Sequence, residues 1–172
     1  MKRTLFIFSL TSLLLISCGG GDKNTQEESP ATEPETSQPE TTPEEVPAVA
    51  EVTIEANDQM RYNLDRIDVK EGQTIRLTLK NVGKLSKDAM GHNWTLVKPG
   101  TDKEALVAAA MNAKDNDYIP KDFEDSIIAH TKLLGGGEET TIEFPAPARG
   151  FYSFFCTFPG HYATMHGTLY VK

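Results

Sequence analysis

The sequence predicts an all-β protein, an antiparallel Greek-key β-sandwich with one inserted helix, preceded by a disordered linker. Three observations predict it. Short runs of alternating apolar and polar residues recur through positions 51–172, the pattern of strands with one buried face. Turn-forming residues separate these runs. A single stretch, ALVAAAMNA, reads as helix, behind the T-x-x-E capping box of Thr101 and Glu104.

The chain opens with Lys2 and Arg3 ahead of the apolar run LFIFSLTSLLLIS. That run is short of the ~20 residues a membrane span requires and reads as an export signal. LISC at 15–18 resembles the bacterial lipoprotein cleavage motif, which implies cleavage before Cys18 and acylation of that cysteine. No A-x-A site follows the apolar run closely enough to favour an ordinary signal peptide. Two or more acyl chains anchor stably where one binds only marginally. The expectation is a lipoprotein signal at 1–17 and an exported, monomeric domain in the periplasm, tethered to a bacterial cell membrane through Cys18.

 

Residues 18–50 form the linker. GGGDKNTQEESPATEPETSQPETTPEEVPAVA is dominated by Glu, Thr, Pro and Ser and holds almost no large apolar side chain. Such a segment cannot bury enough surface to offset the entropy of ordering it. Seven glutamates and Asp22 against Lys23 give it a net charge of −7, out of −8 for the whole chain. The folded part is therefore only mildly acidic, and the balance argues against a nucleic-acid partner bound through phosphates.

Within 51–172, TIRLTLK (74–80) alternates cleanly and sets Ile75, Leu77 and Leu79 on one face. EVTIEA (51–56), NWTLV (93–97), TTIEF (140–144), FYSFFC (151–156) and GTLYVK (167–172) are the other strand candidates, with a turn at Gly135–Gly137. A domain of this length closes a core unaided.

The chemistry sits near the end, in FFCTFPGHYATMHG. Cys156 ends a strand, and the loop turning at Pro159-Gly160 presents His161 and Met165 towards the same place. The spacing C-x₄-H-x₃-M gathers a thiolate, an imidazole and a thioether, a soft donor set. A second imidazole would complete the His₂Cys site with a weak axial methionine that describes a blue-copper centre, and His92 in MGHNW is the best candidate. Cys18 and Cys156 are the only cysteines, so no C-x-x-C zinc or redox motif exists.

At these residues the chain resembles the azurins of the blue-copper cupredoxin family. NDQM (57–60), MGHNW (90–94), IAHTKL (128–133), FFCTFPGH (154–161) and GTL (167–169) carry the resemblance, which covers nearly all of 51–172. It implies a cupredoxin-like sandwich holding one type 1 copper, with His92, Cys156 and His161 in plane, Met165 axial and the Gly91 carbonyl opposite. It further implies that Asn93 braces the two ligand loops and that Trp94 is core. Met60, Leu85, Met90, Phe158 and Ala163 match the apolar patch through which azurins dock redox proteins such as a c-type cytochrome, an oxidase or a reductase. Two departures stand out. The positions of the family's usual disulfide fall near Ala50 and Gly72, and Asn81 occupies the place of a pH-sensitive histidine.

Taken singly, each residue has a plainer reading: Cys156 as an inert buried thiol, His92 as a hydrogen-bonded core histidine, Met165 as packing. Their joint spacing favours copper. His130 and His166 are read as surface residues. Three functions compete: electron transfer, copper storage or delivery, and a copper enzyme. Storage favours repeated Met, His or Cys ligands on an open surface, and this chain has one preorganised set. Four histidines without an H-x-H pair cannot build a multicopper cluster. Methionine is a poor zinc ligand, which disfavours zinc. The reading is one-electron transfer between respiratory redox proteins, without enzymatic activity.

Overall fold

The computed structural model describes residues 48–172. The expected signal, the cysteine expected to carry lipid, Cys18, and the expected linker up to residue 47 lie outside the described residues.

Nine strands form two sheets. The first sheet contains β1 (Val49–Asn57), β2 (Arg61–Tyr62), β4 (Thr74–Asn81) and β7 (Glu139–Pro145), in the order β2-β1-β4-β7. The second contains β3 (Arg66–Val69), β5 (Thr95–Val97), β6 (Ile127–His130), β8 (Gly150–Phe155) and β9 (His166–Val171), in the order β3-β9-β8-β5-β6. Their inner faces meet in one core. Ile54, Leu77 and Leu79 enter it from the first sheet, and Phe154 and Leu169 from the second, with Trp94 fully buried between. The alternation read in 74–80 is borne out, since Ile75, Leu77 and Leu79 are all buried.

The sheets are mixed rather than wholly antiparallel, which corrects the expected strand directions. β1 pairs parallel to β4 from Val49↔Thr74 to Ala56↔Asn81, and β3 pairs parallel to β9. Periodicity reports which face is buried, not which way a strand runs. Between β1 and β4 the chain crosses to the other sheet at β3, so β4 returns alongside β1 without a hairpin to reverse it. On the outer face Arg76 stands opposite both Glu51 and Glu143 and pairs with each, at 3.2 and 2.6 Å. These groups are half exposed, so solvent screens the pairs and they contribute little to stability.

The inserted helix α2 (Lys103–Ala110) starts one residue later than the capping box implies. Asp102 is the N-cap, its carboxylate accepting from the Ala105 amide at 3.0 Å, while the Thr101 hydroxyl donates to the Lys98 carbonyl. Both residue types cap helices; Thr101 is taken by the turn at Pro99-Gly100, where Gly100 has φ +83°. A one-turn helix, α1 (Lys87–Met90), and 3₁₀ turns at Lys114–Asn116 and Lys121–Ser126 were not anticipated.

Neither end of the family's disulfide is present, and hydrogen bonds close that end of the sandwich. The Thr74 amide donates to the Ala48 carbonyl, Glu71 to Lys172, Lys172 to Val69 and Ala146 to Gln73, at 2.8 to 3.0 Å. At the opposite end β9 leaves the ligand loop through Gly167. A Cβ there would lie 2.3 Å from the Phe154 ring and 2.5 Å from the Asp65 carbonyl, so only glycine lets β9 pass this closely.

Candidate metal centre

Two loops and one backbone bridge build the centre. After α1 the chain runs through Gly91, where a Cβ would meet the Lys87 carbonyl at 2.5 Å and the Leu133 side chain at 2.9 Å. That tight passage delivers His92 to an isolated β-bridge with Leu134, closed by amide–carbonyl bonds of 3.0 and 2.8 Å. Asn81 supports the same bridge, donating to the Leu134 carbonyl at 3.2 Å while accepting from the Gly83 amide. The residue at the family's histidine position is therefore a buried amide prop.

The second loop leaves β8 and folds on itself. The Cys156 amide donates to the Met165 carbonyl at 3.0 Å, the Met165 amide to His161 at 2.9 Å, and the His161 amide to Phe158 at 3.1 Å. Gly160, at φ +83°, supplies the turn in the region that favours glycine. Asn93 joins the two loops: its side-chain oxygen accepts from the Thr157 amide at 2.9 Å, and its nitrogen donates to the Thr157 hydroxyl at 2.6 Å and the Asp117 carbonyl at 2.8 Å.

The outcome is a cluster of His92, Cys156 and His161 whose donor atoms all lie within 4.8 Å of one another. The two Nδ1 atoms are 3.2 Å apart, and Cys156 Sγ is 3.7 Å from His161 Nδ1. All three residues are buried, as is Met165, whose backbone ties it to both Cys156 and His161. His130 and His166 are exposed, as expected, and Trp94 is core. Tyr62 is the residue that strand periodicity did not flag. Its hydroxyl donates to the Asn93 carbonyl.

Burial dominates the electrostatics. It lowers His161 to about 4, with His92 adding to the shift, and lowers His92 against the opposing pull of the Asn57 carbonyl and Asp58. It raises Cys156 to about 11, although the amides of Asn93 and Phe158 and the Tyr62 hydroxyl pull the other way. Without metal the donors are thus an uncharged thiol and two uncharged imidazoles. His92 Nε2 is buried without a hydrogen-bond partner in the structure. Two nitrogens and a sulfur converging in a water-poor space fit a single type 1 copper ion, because imidazole and thiolate together suit copper while hard cations want oxygen.

The comparisons with known proteins agree with this geometry. The family described as copper binding proteins, plastocyanin/azurin family, matches residues 48–172. Azurin from Achromobacter denitrificans is 45% identical over 128 residues, covering 71% of this chain and 84% of that protein. Outer membrane protein H.8 from Neisseria gonorrhoeae is 42% identical over 118 residues, covering 67% of this chain and 63% of that protein. Among solved structures, reduced auracyanin from Roseiflexus castenholzii has a TM-score of 0.64 at 38% identity, covering 71% of this chain and 96% of that one. An azurin from Methylomonas sp. strain J has a TM-score of 0.64 at 31% identity, covering 71% and 97%. Fold and site together define a mononuclear copper sandwich. The chain belongs to the plastocyanin/azurin family of copper-binding proteins.

The depressed histidines make the metal-free fold acid-sensitive. The unfolded chain binds protons near pH 6.5, whereas folded His161 does so only near 4. Stability is therefore full above about pH 6.5 and falls as the pH drops towards 4. The raised thiol acts in the opposite sense, removing stability as the pH rises from 9 towards 11. Denaturant titrations of copper-free protein should show both limbs, and His161→Gln should flatten the acid one. An unchanged acid limb in that variant would contradict the assignment.

Proposed function

We propose that the protein is a membrane-tethered carrier of single electrons, whose copper would be held by His92, Cys156 and His161 together with Met165 and the Gly91 carbonyl. The observation that carries this reading is the convergence of the two imidazoles and the thiol within 4.8 Å, in a family of copper-binding proteins. When bound, the copper supplies the Cu(II)/Cu(I) couple. The residues around it exclude water and hold one geometry for both oxidation states, so little has to rearrange when an electron moves. His161 lies under Phe158, their ring centres 4.6 Å apart, and is 3% exposed. Its imidazole edge is the proposed exit.

Around that edge we place the docking patch of Met60, Leu85, Met90, Phe158 and Ala163. Leu85 is 45% exposed, an apolar side chain left to solvent. A c-type cytochrome, an oxidase or a reductase would meet this face, in a weak encounter of the small kind typical of redox pairs. The proposed organisation is a lipoprotein signal at 1–17, a lipidated and acidic linker at 18–50 and the copper domain at 51–172. The domain would work in the periplasm, tethered through Cys18. The 42% identity to a protein named for the outer membrane supports the tether.

Copper-loaded protein should be intensely blue, and Cys156→Ser should lose that band with the sandwich intact, read by visible absorption and circular dichroism. Met165→Leu should stay blue and raise the potential, because losing the axial sulfur favours Cu(I); an unchanged or lower potential would remove Met165 from the site. For the patch, Met90→Glu should keep the spectrum and slow electron self-exchange at least tenfold, since a desolvated carboxylate costs several kcal/mol. Exchange at the parent rate would place the exit on another face. For the tether, Cys18→Ala should move the protein from the membrane fraction to the soluble fraction on cell fractionation. Retention in the membrane fraction would refute lipidation at this cysteine.

A further inference from the structure

Asn93 is engaged on every side. Its side chain clamps Thr157, next to Cys156, and its carbonyl accepts the hydroxyl of Tyr62 from a strand 31 positions away in sequence. Tyr62 sits on β2, only two residues long, and pairs with Ala56. Its ring packs on Phe154 with centres 6.0 Å apart. The residue also borders a surface cavity of about 350 Å³, shared with Arg61, Asn63, Asp65, Thr164 and His166.

Packing against Phe154 would be served equally by phenylalanine. The hydroxyl adds a polar atom at depth, which is unfavourable unless it is hydrogen-bonded. Its purpose is therefore found in what it holds. The partner is the carbonyl of Asn93, the residue after His92, and the Asn93 side chain grips the peptide directly after Cys156.

We propose, building on the blue-copper reading above, that Tyr62 is a positioning residue of the metal centre, whose hydroxyl holds the Asn93 carbonyl and through Asn93 steadies the clamp on Thr157, next to Cys156. Hydrogen bonding around the cysteine sulfur is one of the factors that set the potential of such a centre. Removing the hydroxyl leaves that carbonyl without this partner and loosens the peptide after Cys156, and the reduction potential shifts.

The test compares the full-length parent, Tyr62→Phe and Phe154→Leu, each loaded with copper, by redox titration and by the copper–sulfur stretch in resonance Raman. Tyr62→Phe should change the Cu(II)/Cu(I) ratio at fixed ambient potential by up to about tenfold, equivalent to about 59 mV for one electron, and shift the stretch. Phe154→Leu removes ring packing without touching the hydrogen bond. It should lower the melting temperature and leave the ratio within about twofold. In copper-free protein, the Asn93 carbonyl carbon resonance should move in Tyr62→Phe and hold in Phe154→Leu. A blue parent whose potential is unchanged in Tyr62→Phe, or shifts equally in Phe154→Leu, overturns the role of the tyrosine alone. A parent that is not blue when loaded overturns the copper reading, and this inference with it.

Discussion

Bringing two imidazoles and a thiol within 4.8 Å of one another, away from water, is the constraint on which the rest of the structure depends. Three polar groups lose their hydration there, and a chain would ordinarily turn them apart or supply hydrogen-bond partners. This chain holds them with backbone. His92 is fixed by its bridge to Leu134, and the loop from Cys156 to Met165 is fixed by its own amide–carbonyl bonds. Asn93 then locks one loop to the other through Thr157. Burial leaves the donors uncharged, so the cluster avoids the larger penalty of charge without solvent.

That arrangement explains why a sandwich suits the site. Strands β4, β7, β8 and β9 form a stiff base, with Trp94 packed between the rings of Phe144 and Phe154. The ligand loops emerge from one end of it and need only short, closed backbone to reach the centre. At the other end, four amide–carbonyl bonds close the sandwich. The two ends are joined by the long parallel ladder of β1 and β4.

The departures from expectation share a physical cause. β3 and β6 were missed because each is four residues long, too short for alternation to stand out. The N-cap moved from Thr101 to Asp102 because two good capping residues are adjacent and the preceding turn used the first. Parallel pairing was missed because side-chain alternation is the same in either direction.

By itself the sequence picked out the side chains that converge, because C-x₄-H places Cys156 and His161 on one short loop and G-H-N offers His92 upstream. It also determined the strand faces, as in Ile75, Leu77 and Leu79, because a period of two is a local property. Only the tertiary structure decided that His92 meets His161 across 69 positions of chain, and that Asn93 stitches their loops together. It alone revealed Tyr62 on the Asn93 carbonyl, since nothing in a two-residue strand signals a partner 31 positions away. Such contacts depend on how the sheets close, and closure is set by packing over the whole chain rather than by any local pattern of residues.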